Sequence, residues 1–182
     1  MTSRSPLLHH VTENPFATAC QARQRCRERG YRRVGFVFAG ANDSPRGGDR
    51  WLGAFLAQQP LFPQADRLPS CRAVPADEAS FRSWFERVRP DALLANQARP
   101  VLAWLERRGL RVPRDVALID LAGDHPERKF AGVGADPAAL GALAIDMLIG
   151  LMQRNETGVP RDQYEILLSG EWWDGTTLPP RG

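Results

Sequence analysis

Cysteine and histidine are scarce in this chain. The three cysteines, Cys20, Cys26 and Cys71, are odd in number and show no Cys-x-x-Cys spacing, which argues against a disulfide framework. The three histidines, His9, His10 and His125, do not stand at zinc-ligand spacing from them. The cysteines therefore read as small apolar fillers in a reducing compartment. Glycine is present, but not in a phosphate-cradling order. There is no Gly-x-x-x-x-Gly-Lys-Ser/Thr, no Gly-x-Gly-x-x-Gly and no Gly-x-Ser-x-Gly, so nucleotide-loop and hydrolase readings lack their mechanical parts. Asp-rich metal spacing is absent too, and no histidine sits beside a Ser or Cys nucleophile in the sequence. Long apolar runs are missing. The longest, Ala138–Met152, is broken by Asp146 and is too short to span a bilayer. Met1–Pro6 lacks the apolar core of a signal peptide. The expectation is a cytoplasmic protein with no membrane partner, no metal and no cofactor. Bulk charge is low as well, at +3, and makes no case for nucleic acid by itself. The positive sign comes mostly from arginine. Arg23–Arg33 holds six arginines and one glutamate, which reads as a solvated helix face, with a phosphate-binding strip as the sharper alternative.

What is present is an alternation of strand and helix patterns over 182 residues, enough for one domain or two small lobes. Leu7–Thr12 reads as a short strand or the end of a longer one. Asn14-Pro15 starts a helix that Gly30 stops. Val34–Ala39, Asp91–Ala95 and Asp115–Leu121 are continuous apolar runs, suited to strands covered on both faces. Arg67–Pro69 is a weaker strand candidate. Arg50–Gln58, Asp77–Val88 and Val101–Arg108 read as helices between the strands, with Trp51 and Trp84 assigned to core packing. This order predicts right-handed βαβ units and a parallel sheet. The loops after the strands, Gly40–Asp49, Asn96–Pro100 and Ala122–Lys129, are then the default ligand crevice.

Pro137–Arg154 differs from the other helices. It is apolar on most of its circumference, so it needs cover on several sides, and few later elements are available to supply it. Glu165–Leu168 reads as a last strand and Gly170–Thr177 as a terminal extension. The Trp172-Trp173 pair suggests packing at a lobe or subunit contact.

The order of segments carries a family resemblance. It runs from the Gly30-Tyr31-Arg32-Arg33 turn and strand Val34–Ala39 to Arg50-x-x-Gly53. It continues through Pro90-Asp91-Ala92-Leu93-Leu94-Ala95-Asn96, Gly109–Val116 and Asp136-x-x-x-Leu140-Gly141, and ends near Ser169–Leu178. This series resembles the effector-binding domain of lactose-repressor-type regulators, the LacI/GalR family. The resemblance implies an α/β, three-layer parallel sheet: a type I periplasmic-binding-protein-like C-terminal lobe with remnants of the N-terminal lobe. Residues 1–31 would be the remnant of the first lobe and 32–131 the second lobe. Residues 132–155 would return to the first lobe, and 156–182 would hold the final strand of the second lobe and the tail. In that family two lobes close on a small ligand, usually a sugar or nucleobase, and closure shifts a dimer between DNA-binding states. A helix-turn-helix head and most of the first lobe would lie outside this chain.

The resemblance also supplies site residues. Arg50 matches a family arginine that hydrogen-bonds ligand hydroxyls, a task suited to a planar fork of donors; the alternative is a surface arginine at a helix start or a salt bridge. Asn96 matches the polar residue at the end of the strand after Pro-Asp, with a turn or cap role as its alternative. Gln97 stands where the family commonly has aspartate. The family's ligand aspartate after the next strand is missing from Asp120-Leu121-Ala122, unless Asp120 or Asp124 substitutes through a shifted loop. The implied partners are a small-molecule effector and a second copy of the chain, with DNA reached only through the head. Val101–Arg111 and Ala122–Phe130 are candidate dimer surfaces. The expected role is therefore a sensor rather than an enzyme. Two alternatives stand beside it: a dimerisation module without a ligand, and a flavodoxin-like enzyme.

Overall fold

The computed structural model describes residues 7–39, 45–73, 78–122 and 129–181. The chain divides into two units: Met1–Asn14 with Ala135–Glu171, and Pro15–Gly134 with Trp172–Gly182.

The larger unit is a six-stranded sheet between two helical layers. Its strands are β2 (Val34–Ala39), β3 (Cys71–Ala73), β4 (Ala92–Ala95), β5 (Ala117–Asp120), β6 (Ala131–Gly134) and β8 (Glu171–Trp173), in the order β3-β2-β4-β5-β6-β8. The pairings β2–β3, β2–β4, β4–β5 and β5–β6 are all parallel. Side chains alternate across the sheet. Val34, Phe36, Leu94 and Ile119 pack under α1 (Pro15–Glu28) and α2 (Pro45–Gln58). Val37, Leu93, Ala95 and Leu118 pack under α3 (Glu78–Val88) and α4 (Ala98–Arg107). Both faces are covered, so the strands read as unbroken apolar runs. The expected α/β parallel architecture and core assignment of Trp51 and Trp84 hold.

Helix ends follow local chemistry. Pro15 opens α1 at a position where no intrahelical N–H is needed. Gly30, at φ +85°, closes it: its N–H donates to the Arg27 carbonyl at 2.9 Å and the Tyr31 N–H to the Cys26 carbonyl at 2.9 Å, a Schellman arrangement. Gly109, at φ +72°, ends α4 the same way, through Gly109 N–H to Glu106 at 2.9 Å and Leu110 N–H to Leu105 at 3.0 Å.

Several expectations are corrected. The strand placed at Arg67–Pro69 is instead β3, at Cys71–Ala73. The supposed terminal extension contains β8, an edge strand of the large sheet. Its Trp173 indole donates to the Phe130 carbonyl at 2.6 Å. Gly132 leaves room for that ring, since a Cβ there would lie 2.9 Å from Trp173 Cζ2. The boundary expected at 31/32 falls at 14/15, because α1 packs on α2 and β6 and so belongs to the larger unit. The strand at Glu165–Leu168, assigned to the second lobe, pairs instead with β1 in the smaller unit.

The arginine run is only partly a solvated face. Arg25, Arg27 and Arg32 are exposed, but Arg23 is 1% exposed. Its guanidinium donates to the Phe55 carbonyl at 3.0 Å and to Gln59 Oε1 at 3.3 Å, and it lies 3.8 Å from the Phe62 ring centroid. Burial lowers its pKa to about 10. Arg33 donates to the carbonyls of Ala65, Val88 and Arg89, and Arg29 to the carbonyl of Leu178 and to Asp174. Half of the run, Arg23, Arg29 and Arg33, therefore serves to satisfy carbonyls within the fold.

The smaller unit holds β1 (His10–Glu13) and β7 (Glu165–Leu168), paired in parallel with His10 opposite Glu165, and helix α5 (Pro137–Gln153). Asp136 caps α5, its carboxylate accepting from the Ala138 N–H at 2.9 Å. No described residue of this unit is buried. On α5, Ile145, Leu148, Ile149 and Met152 are 56%, 53%, 46% and 69% exposed, at the i, i+3, i+4, i+7 spacing of a single stripe.

Candidate functional site

The order of the sheet locates the site. β2 and β4 are neighbours, but the chain leaves β2 toward β3 and leaves β4 toward β5. The helices that follow them, α2 and α4, consequently pack on opposite faces. This is a topological switch point, where the connecting loops diverge and open a crevice at the carboxyl edge of the sheet.

Asn96 stands at that point. Val37, Ala95 and Asp120 form one row across β2, β4 and β5. One residue further on, the Asn96 N–H donates to the Val37 carbonyl at 3.4 Å, and Asn96 Oδ1 accepts from the Ala39 N–H at 2.7 Å. The carboxamide supplies a rung that β4 no longer offers once its backbone turns into α4. Because Ala39 presents a donor, the atom facing it is the oxygen, which fixes the orientation of the carboxamide. The residue is 7% exposed, and its Nδ2 has no partner among the described residues.

Gln97 follows as the N-cap of α4, exposed, with no side-chain hydrogen bond to the helix. The first-turn amides of Ala98 and Arg99 are thus not capped by it, and Pro100 has no N–H to offer. Arg50 lies half-buried in the second turn of α2, the helix that leaves the adjacent strand, and it makes an interaction within the fold. Asp124 falls outside the described residues. Asp120, its alternative, ends β5 at 1% exposure. Its Oδ1 accepts from the Ala122 N–H at 3.2 Å, closing the strand in a local turn. It shares a row with Ala95, on the face covered by α3 and α4.

Of the predicted residues, then, Asn96 and Gln97 meet at the β4–α4 turn in contrasting environments, one buried and one exposed. Sequence reasoning missed two features: the side-chain rung to Ala39 and the uncapped start of α4. The second has a readable signal, since Gln97-Ala98-Arg99-Pro100 lacks a Ser, Thr, Asp or Asn at the cap and has proline at the third position. Among the described residues no group of three or more His, Cys, Asp or Glu is placed to hold a metal ion. No described helix is long and apolar enough to cross a membrane.

Comparison with known proteins gives a consistent fold. Residues 24–177 match the family described as periplasmic binding protein-like domain. No curated protein matches significantly by sequence. Among solved structures, a LacI family transcriptional regulator from Enterococcus faecium with bound ribose superposes with TM-score 0.72 at 14% identity, over 99% of this chain and 68% of that one. A complex of the transcriptional regulator CelR with cellobiose gives 0.68 at 20% identity, over 97% and 56%. A transcription regulator like protein from Staphylococcus haemolyticus gives 0.71 at 15% identity, over 100% and 65%. The chain spans 56–68% of the length of these structures. From Gln24 to Thr177, therefore, this chain belongs to the periplasmic-binding-protein-like domain family, in the fold it shares with LacI-family transcriptional regulators.

Proposed function

We propose that this chain is the effector-sensing and dimerising portion of a LacI-family transcriptional regulator. It takes a small polar metabolite, of the sugar class or related to it, at the carboxyl edge of the larger unit's sheet. A head outside this chain contacts DNA, and the effector controls that contact by binding one conformational state better than the other. The observation that carries the reading is Asn96: a nine-tenths-buried carboxamide at the switch point, with one end committed to the fold and the other without a partner. The bound relatives add weight, since one holds ribose and another cellobiose. Arg50 is assigned to grip the ligand from α2, and Gln97 and Asp124 to line the approach. The class of activity is regulation, not catalysis.

Isothermal titration calorimetry of the chain against a panel of sugars, sugar derivatives and nucleosides tests this reading. A member of the panel should bind, and Arg50→Ala should weaken it at least tenfold. Silence across the panel, with a dimer in analytical ultracentrifugation, would favour a second reading: a self-association module without a ligand. The exposed Ile145, Leu148, Ile149 and Met152 stripe on α5 is the observation behind that alternative.

A further inference from the structure

Charge is unevenly divided along this chain. The larger unit carries 21 Arg and Lys against 14 Asp and Glu, a net +7, and the smaller unit 3 against 7, a net −4, which together give the chain's +3. Within the larger unit, arginines gather at the amino edge of the sheet, opposite the edge that holds Asn96. The Asp91 N–H donates to the Arg33 carbonyl at 2.9 Å. Asp91 Oδ2 accepts from the Arg32 N–H at 3.0 Å and from the Arg181 guanidinium at 3.1 Å. The Arg33 guanidinium donates to the Arg89 carbonyl at 3.3 Å, and the Arg181 N–H to the Arg29 carbonyl at 2.9 Å. Five arginines thus meet around one carboxylate, which already serves Arg181. Arg29 is paired with Asp174, and Arg33 is committed to carbonyls. Arg32 and Arg89 remain. Both are exposed, and neither guanidinium has an ion pair or hydrogen bond among the described residues. Arg67 and Arg27 extend the patch, both exposed and without a carboxylate. Arg67 Nε donates to the Phe62 carbonyl at 2.9 Å, and the Arg27 guanidinium lies 4.7 Å from the Phe62 ring centroid. An arginine in the last turn of a helix offsets the helix dipole, which accounts for Arg27. It does not account for Arg32 and Arg67, which lie outside any α-helix. Nor does it explain Arg89, which follows α3 at φ +43°, a left-handed position that glycine or asparagine takes most easily.

We propose that this amino edge is a docking surface for the phosphate backbone of nucleic acid, separate from any contact made by a DNA-binding head. Guanidinium groups present forked donors that match phosphate oxygens, and such contacts hold a duplex without reading its sequence. A protein partner would need an apolar centre in the surface it covers. The turn offers none, since Tyr31 and Val88, beside Arg32 and Arg89, are 2% and 6% exposed. Fluorescence anisotropy of a labelled DNA duplex of random sequence, titrated with the full chain, tests the assignment. Binding should be micromolar at about 50 mM salt and weaken as salt rises, with a log–log slope of about −3, the value for three or four neutralised phosphates. Arg32→Glu combined with Arg89→Glu should lower the affinity at least about tenfold and flatten that slope. Arg82→Glu combined with Arg161→Glu makes the same change of charge at two other exposed arginines, and should lower the affinity by less than about threefold. Three results would overturn the proposal. The duplex could fail to bind at low salt. The control pair could lose as much affinity as the first pair, which would leave only bulk charge. Polyglutamate could displace the duplex at matched charge concentration, which would make the partner an acidic protein. The first and third results are read on the wild-type chain, so they decide even where a variant folds poorly. The effector site around Asn96 lies at the other edge of the sheet and is tested separately.

Discussion

The Asn96–Ala39 bond sets a stability prediction that is separate from any ligand. Ala39 is fully buried and Asn96 nearly so, and the bond between them is 2.7 Å long. Asn96→Ala removes the acceptor and leaves a buried backbone donor with nothing to bond, since β4 has already turned away. An orphaned buried donor costs about 1–3 kcal/mol. For a chain of this length each kcal/mol lowers the melting temperature by roughly 2–4 °C. Gln97→Ala is the control. It lies next in sequence but is exposed and caps nothing, so its change should stay within about 0.5 kcal/mol. Urea unfolding followed by tryptophan fluorescence is the assay. All five tryptophans lie in the larger unit, so the signal reports on the sheet that contains the rung. An Asn96→Ala variant within about 0.5 kcal/mol of wild type would refute the reasoning. It would mean that the Ala39 amide finds another acceptor and that the carboxamide is not anchored.

Three further outcomes are expected. Arg23 is buried with no carboxylate bonded to it among the described contacts, and the fall of its pKa to about 10 corresponds to roughly 3 kcal/mol of desolvation set against its hydrogen bonds and ring contacts. Arg23→Met should therefore be at least as stable as wild type in urea at pH 7, and a loss above about 2 kcal/mol would contradict this. The sign for pH follows from the lowered value: the unfolded chain holds this proton more tightly, so in wild type this group's contribution to stability should increase as pH rises through about 10, and Arg23→Met should lack that increment. Gly35 lies under Trp84, and a Cβ there would sit 2.6 Å from Cη2 of the ring. Gly35→Ala should cost about 1–3 kcal/mol by overpacking, and Trp84→Phe in the same chain should recover part of it, measured by thermal unfolding. On α5, Leu148→Glu should change stability by less than about 0.5 kcal/mol, because no residue of that helix is buried, and should lower the fluorescence of a bound hydrophobic dye.

The sheet of the larger unit was legible because its strands are buried on both faces. Val34–Ala39 and Ala92–Ala95 carry no polar residue, and such runs separated by amphipathic helices leave few arrangements open. Gly30 and Gly109 were equally readable as helix stops, since both take the left-handed conformation a helix end requires. β3 and β8 were not legible in place. Each is three residues long at a sheet edge, so a period-two pattern has no length in which to declare itself. β7 was found as a strand but given the wrong partner, because four residues do not encode which sheet they join. The site was legible by position only. Asn96 could be placed at a strand end, but the commitment of its oxygen to Ala39 is a tertiary contact across 57 residues, and it is that contact which fixes which end of the carboxamide faces outward.

That last point bears on how far the relatives can guide the choice of ligand. Identity to the three structures compared above is 14–20%, while the fold is retained with TM-scores of 0.68–0.72. The core tolerates this drift because it asks only for apolar side chains of suitable volume on two faces. Ligand class is set by a separate and much smaller group of atoms, the donors and acceptors left over where strands end. Reversing a single carboxamide, or turning one aspartate inward, changes that group without disturbing a buried strand. Here Asn96 Oδ1 and Asp120 Oδ1 are each engaged by a backbone N–H group. The ribose and cellobiose held by the relatives are therefore starting points for a ligand panel, to be varied in both shape and charge.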